Sequence, residues 1–385
     1  MEKTLSTNQT SLIFCVFTIG LKLSALPALM YNYSGNDSYI VCLIALIFDF
    51  IGTFIILSIM HKHPDKKFVD IIKETMGKPT ATITMLILLL YFLAKCILVL
   101  QELHDYFIAT LFEELNPVYF IIVLSLLILY VTGKKFRSIG RLIELIFWPT
   151  FVGIIFTLIF PIEDIQIEKL LPLFTQGPYQ IYRGLSRTTF AFGDYMILLP
   201  LMGDIKLNEK SKKKILTYAF SAFNFIFNFF VIFAGSFGRF SVNQTLALGE
   251  LPLHNTTPAT IGKLEWLTII IWTVILLTDA MVIALASKTC LDNLFNVSDK
   301  KWTGYVVTAI VMLTVAITYM QLETIIEIAT TPIFASIAGG IQILIVVLLV
   351  IANCIYLKKH PPSANARQKD NCKKIDNKEE AKCSS

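Results

Sequence analysis

The chain has 385 residues, 55% of them hydrophobic and only 16% charged, with a mean hydropathy of +0.67. Soluble domains carry about 25% charged residues, so too little polar surface exists to cover a globule, and a polytopic helical membrane protein is expected. The net charge of +5 sits largely in connections, which argues for membrane orientation rather than nucleic-acid binding, and the seven cysteines form no CxxC pair that would indicate a disulfide framework or a metal site.

A bilayer core takes about 20 apolar residues per helix. On that measure ten spans are expected at roughly 9–31, 39–60, 80–109, 117–133, 138–160, 186–203, 214–238, 265–287, 302–319 and 332–357. The first is read as a retained helix rather than a signal peptide, because it is long, contains Lys22 and Pro27 and lacks an evident cleavage site. Alternate connections are basic. Lys62, Lys66, Lys67, Lys73 and Lys78 follow the second span, Lys134, Lys135, Arg137 and Arg141 the fourth, and Lys206 and Lys210 the sixth. Lys288, Lys300 and Lys301 then follow the eighth, and further lysines begin at Lys358. The intervening connections at 32–38, 110–116 and 320–331 carry no Lys or Arg. Both termini are therefore expected on the cytoplasmic side. Residues 1–357 form one expected membrane domain, and 358–385 a disordered, Lys-rich cytoplasmic tail. The longer stretches 161–185 and 239–264 are expected at the outer face, where they could act as lids.

Two spans carry the same interruption. Gly20 precedes Pro27 by seven positions in the first, Gly193 precedes Pro200 by seven in the sixth, and a charged residue follows each glycine closely. Glycine tolerates unwound backbone, and proline removes a donor. Unwound backbone survives in a bilayer only where it lines a cavity or is buried in protein. Paired breaks point to a transporter-type ligand site. Ten spans divide five and five, so the halves (about 9–160 and 186–357) face opposite ways, an inverted repeat with broken helices 1 and 6.

The apolar spans also hold charges. A charge at the bilayer centre costs about 2.5–3.5 kcal/mol on insertion scales, so each is expected to face the bundle interior. Helical rise puts Lys22, Asp49, Asp194 and Asp279 near the midplane, Lys95 somewhat outside it and Glu144 in the inner third. Lys22–Asp194 and Lys95–Asp279 are candidate ion pairs that could simply fix helix packing. The clustering of these charges beside both breaks instead favours a binding site, in which Lys22 attracts a substrate carboxylate or takes the place of a sodium ion, and Asp194 holds an ammonium or a proton. Tyr91, Ser24 and Thr278 are polar neighbours of the site. Asp49 and Glu144, off the broken helices, are read as a proton relay or as structural pairing partners. No Gly-x-Ser-x-Gly, HExxH or P-loop pattern is present, so no enzyme and no cofactor is expected.

Several segments together carry a family resemblance. They are Ile19–Pro27, Tyr91–Lys95, Phe192–Pro200, Trp272 with Thr278 and Asp279, and the basic run Lys210–Lys214. Over roughly residues 8–357 the chain resembles the endospore germination permeases, the B subunits of nutrient germinant receptors, within the amino acid–polyamine–organocation superfamily. The resemblance implies a LeuT-like fold with a ligand held between helices 1, 3, 6 and 8, and makes Gly20, Tyr91, Lys95, Asp194 and Thr278 pocket candidates. Gly193, Lys22, Ser24 and Asp279 complete the expected binding set. It implies an amino acid-like nutrient as ligand, a larger membrane subunit and a lipoprotein subunit as partners, and the spore inner membrane as location. The chain departs from the family at Lys22, where a second glycine is common, and at Lys95, where an uncharged residue is common. These departures favour a ligand with an extra carboxylate, or internal salt bridges, over a simple pocket for a small neutral amino acid. The expected function is a nutrient-binding receptor subunit. The rival is a proton-coupled amino acid or amine permease using the same pocket.

Overall fold

The computed structural model describes residues 5–359 apart from positions 65, 111–116, 160, 163–164, 175–176, 206, 252–257, 298–299 and 320–326. The expected tail lies, from residue 360 on, outside the described residues. Among the described residues the structure is helical, with one isolated bridge between Leu5 and Ile205.

The first span is two helices, α1 (Thr7–Ile19) and α2 (Ala25–Ser34), joined by a 3₁₀ turn at Gly20–Lys22. A reciprocal cap starts α1: Ser6 Oγ accepts from the Gln9 amide at 3.1 Å, and Gln9 Oε1 from the Ser6 amide at 3.2 Å. Pro27 falls in the first turn of α2, where a missing amide leaves no helical bond unmade. Then come α3 (Ser38–Lys62), α4 (Phe68–Met76), α5 (Lys78–Thr110), α6 (Pro117–Thr132) and α7 (Phe136–Ile159). The sixth span is α8 (Pro178–Thr188), two 3₁₀ turns and a short α9 (Leu198–Leu201). It is followed by α10 (Glu209–Phe237), α11 (Ala247–Glu250), α12 (Pro258–Leu294), α13 (Lys301–Tyr319) and α14 (Pro332–Lys359). Four of these helices open on a proline, whose fixed φ suits a first helical position.

Among the described residues, six helical stretches are long and apolar enough to cross a membrane by themselves, and α6 and most of α13 form shorter apolar helices. Large apolar side chains on their outer faces, among them Phe48, Leu90, Leu145, Leu313 and Ile343, are exposed. That is the surface a lipid phase covers and water would not tolerate. The most buried of the long stretches lies in α12, which packs along α5, α7 and α1. α4, an amphipathic helix that buries Phe68, Ile71 and Ile72, occupies the basic connection read from sequence as a loop, and it packs on α5 and α14.

The two faces of the bundle differ. On the face with the basic connections, the Leu5 amide donates to the Asp204 carbonyl at 2.8 Å, and Thr7 Oγ1 to Ser211 Oγ at 2.8 Å. Asn8 and Gln9 both donate to Glu144, at 3.0 and 3.1 Å. On the opposite face, Asn36 reaches the Leu171 carbonyl at 2.9 Å, and Asp37 takes the Phe174 amide at 2.9 Å. There too the Leu248 amide donates to the Leu23 carbonyl at 3.1 Å, which seats α11 beside the break in the first span.

Candidate functional site

Both interruptions are real breaks, and they meet. Gly193 stands at φ 83°, ψ 33°, in the left-handed region where glycine carries no steric penalty. A Cβ there would also fall 2.4 Å from the Gln342 side chain. Gly20 is held for space: a Cβ would lie 2.2 Å from Asp279 Oδ2.

Unwinding frees backbone groups that need partners. The Phe192 carbonyl has three donors: Lys95 Nζ at 2.9 Å, Gln342 Nε2 at 2.9 Å and Tyr91 Oη at 3.1 Å. Gln342 also donates to the Thr189 carbonyl at 3.3 Å and to Tyr91 Oη at 3.2 Å. The Gly193 amide donates to Asp49 Oδ1 at 2.8 Å. In the first span, Glu102 Oε1 accepts the Ala25 amide at 3.4 Å, at the start of α2, where a carboxylate suits the positive end of the helix dipole.

The charges form one buried cluster. Lys22 pairs with Asp194 Oδ2 and donates to the Thr18 carbonyl at 3.2 Å. Lys95 approaches Asp194 Oδ1 at 3.5 Å. Lys22 lies 5.1 Å from the centre of the Phe192 ring, and Lys95 5.1 Å from that of Phe17, near enough for cation–π attraction. Of the two options the unusual lysines raised, internal salt bridges are what the cluster contains. The pairing differs from expectation in one respect. Lys95 goes to Asp194 and the Phe192 carbonyl, whereas both Asp279 oxygens are buried without a hydrogen-bond partner, pressed against Gly20.

The remaining polar residues divide. Ser24 and Glu102 line a cavity of about 340 Å³ between the first break and the face away from the basic connections, with Ala28, Asn32, Asp105 and Leu246. That volume falls within the range of small-molecule sites. Thr278 points elsewhere: its hydroxyl bonds the Val274 carbonyl at 2.6 Å, and it lines a small apolar cavity with Val16, Ile19 and Phe147. Glu144 is engaged with Asn8 and Gln9 at the basic face, far along α1 from the break. Asp49, read as a relay or pairing residue, accepts the Gly193 amide and so ties down the second break.

Sequence reasoning missed Gln342 and the Phe192 carbonyl. A lone glutamine after Gly339 and Gly340, inside an otherwise apolar helix, is the signal that could have found the first. A backbone carbonyl leaves no signal in the sequence.

A sequence profile of the spore germination protein family matches residues 4–328. The spore germination protein YndE of Bacillus subtilis (strain 168) is 23% identical over 216 residues, which are 55% of this chain and 58% of that protein. The matched stretch thus spans somewhat over half the length of that curated relative. Among solved structures, two mutants of the Eremococcus coleocola manganese transporter superpose with TM-scores of 0.58 and 0.57 at 12% identity, covering 96% of this chain and 90% of theirs. The fold is thus that of LeuT-like transporters.

Proposed function

The chain belongs to the spore germination protein family, and from that premise we propose that it is the nutrient-binding membrane subunit of a germinant receptor, with an amino acid-like ligand. The observation that carries the reading is the joining of the two breaks by opposite charges, Lys22 from one and Asp194 from the other, beneath a cavity lined by Ser24 and Glu102. A zwitterion offers one charge of each sign. Its carboxylate can exchange onto Lys22 and Lys95, and its ammonium onto Asp194 and the unpartnered Asp279. Such a ligand separates the breaks that the internal pair now holds together. It shifts the bundle only to the extent that it binds the separated state more tightly. In this reading Gly20 and Gly193 supply the close backbone approach, and Tyr91 holds the second break in place. The response passes to a larger membrane subunit and a lipoprotein subunit in the spore inner membrane, with both termini of this chain cytoplasmic.

The test is a thermal-shift screen of purified protein against amino acids, sugars, nucleosides and salts. A ligand present at a hundredfold excess over its Kd stabilises the folded state by about 2.7 kcal/mol, a readable shift. Asp194→Asn is expected to abolish the amino acid shift. Because it strands both Lys22 and Lys95, the double variant Lys22→Met with Asp194→Asn, which leaves only Lys95 on the Phe192 carbonyl, is measured beside it, to separate lost binding from lost packing. An undiminished shift in both would overturn the assignment. Vesicle uptake decides the rival: saturable, proton-driven accumulation by this chain alone would make it a permease.

A further inference from the structure

A second cavity, of about 410 Å³, lies between α3, the sixth span and α14. Its rim is apolar and faces lipid: Phe48, Ile51, Ile343 and Val347 line it and are exposed. Its floor is polar. Asp49, 2% exposed, lines it. One Asp49 oxygen takes the Gly193 amide, and the other, Oδ2, has no hydrogen-bond partner. Among the described residues no Lys, Arg or His lines the groove. The nearby ammoniums of Lys22 and Lys95 are bound to Asp194, the Thr18 carbonyl and the Phe192 carbonyl. Neither lysine of this cluster pairs with Asp49, since Lys22 and Lys95 both turn to Asp194.

An acyl tail in this groove would lie over the Asp49 carboxylate and leave it without a partner, which is costly. A lipid headgroup does not reach it. Asp49 is the twelfth of the 25 residues of α3, about 16 Å from one end and about 20 Å from the other at the helical rise. The occupant that fits both parts is a small lipophilic amine, its ammonium drawn to the Asp49 carboxylate, whose sealed Oδ2 turns toward the groove to meet it, and its chain running out between α3 and α14. The geometry points to a membrane-facing site for such an alkylammonium, separate from the cavity at the first break. By completing the charge on Asp49, the occupant steadies the carboxylate that caps Gly193 and so holds the second break as it stands. This site does not depend on the nutrient reading.

The experiment uses purified full-length protein in phosphatidylcholine nanodiscs and an n-octylamine carrying a photoreactive diazirine on its terminal carbon. Labelled peptides are mapped by mass spectrometry. Label is expected to concentrate on the α3 and α14 peptides that line the groove. Free octylamine should displace it at about tenfold lower concentration than octanol, one decade of affinity. Asp49→Asn, which keeps an acceptor for the Gly193 amide, should erase that preference. If it fails to fold, Ile343→Trp, on the lipid-exposed rim, should block labelling of both peptides. Label spread evenly over the lipid-facing surface, equal displacement by octanol, or label concentrated on α2 and α5 would each overturn the proposal. So would loss of labelling when phosphatidylethanolamine replaces phosphatidylcholine, because a headgroup amine would then be the occupant.

Discussion

Asp194 accepts both lysines of the central cluster on its two oxygens, so it neutralises neither completely, and Asp279 stands by without a hydrogen bond of its own. Removing one member of a buried pair costs about 3–5 kcal/mol, because the other is left uncompensated. Lys22→Met alone is therefore expected to leave Asp194 paired with Lys95 and to fold more stably than Asp194→Asn alone, which strands both lysines. Gly20 is the more sensitive position. An alanine there would put its Cβ where an Asp279 oxygen now lies, in a core with no slack on that side. Gly20→Ala is expected to cost about 1–3 kcal/mol, the usual range for overpacking, and to lower the melting temperature of purified protein. In the variant Gly20→Ala with Asp279→Gly, the space returns and the melting temperature should recover. Recovery would show that the glycine serves close approach rather than backbone freedom, since its turn needs no left-handed residue. No recovery would assign the cost to the backbone.

The broken sixth span is held open by its neighbours rather than by its own sequence. Three side chains from two other helices converge on the Phe192 carbonyl, and a fourth, Asp49, takes the next amide. Gln342→Leu removes one donor from that carbonyl and the bond that Tyr91 Oη accepts from the same amide group. The expected loss is about 1–2 kcal/mol, in line with buried neutral hydrogen bonds, read as a lower melting temperature with helix content unchanged. A neutral outcome would mean that Tyr91 and Lys95 suffice. The difference between what sequence showed and what it hid follows from the same arrangement. The helical class, the long apolar helices and both breaks were legible because hydropathy, glycine and proline act within a few residues of where they are written. The helical identity of α4 was legible too, in the spacing of Phe68, Ile71 and Ile72, but the basic residues around it drew it into a connection. The partner of Lys95, the outward turn of Thr278 and the part played by Gln342 were not legible. Each depends on which faces of helices some 100 residues or more apart in the chain come together, and periodicity within one helix does not fix that.

Across the whole molecule, the two ends are unequal. A cavity of about 340 Å³ reaches the first break from the face without basic connections, and α11 leans on that break through the Leu248–Leu23 bond. The basic face is instead tied shut around the start of α1, by Leu5 on Asp204, Thr7 on Ser211, and Asn8 and Gln9 on Glu144. Glu144 therefore acts as a clamp between α1 and α7 rather than as part of the central charge cluster. Glu144→Ala breaks two hydrogen bonds to a charged group, each worth about 1.5–3 kcal/mol, and is expected to loosen that end of α1. Cys15 reports on it: the thiol is buried and directed at the Tyr218 carbonyl at 3.5 Å. In a background with Cys354, Cys372 and Cys383 replaced by serine, maleimide labelling of Cys15 should accelerate roughly tenfold or more, the factor that about 1.4 kcal/mol supplies. Cys42 and Cys96, buried on α3 and α5, should stay protected and serve as internal references. Faster labelling of all three would indicate general unfolding. An unchanged rate at Cys15 would place the closure of this face on the Leu5 and Thr7 contacts and relieve Glu144 of that part.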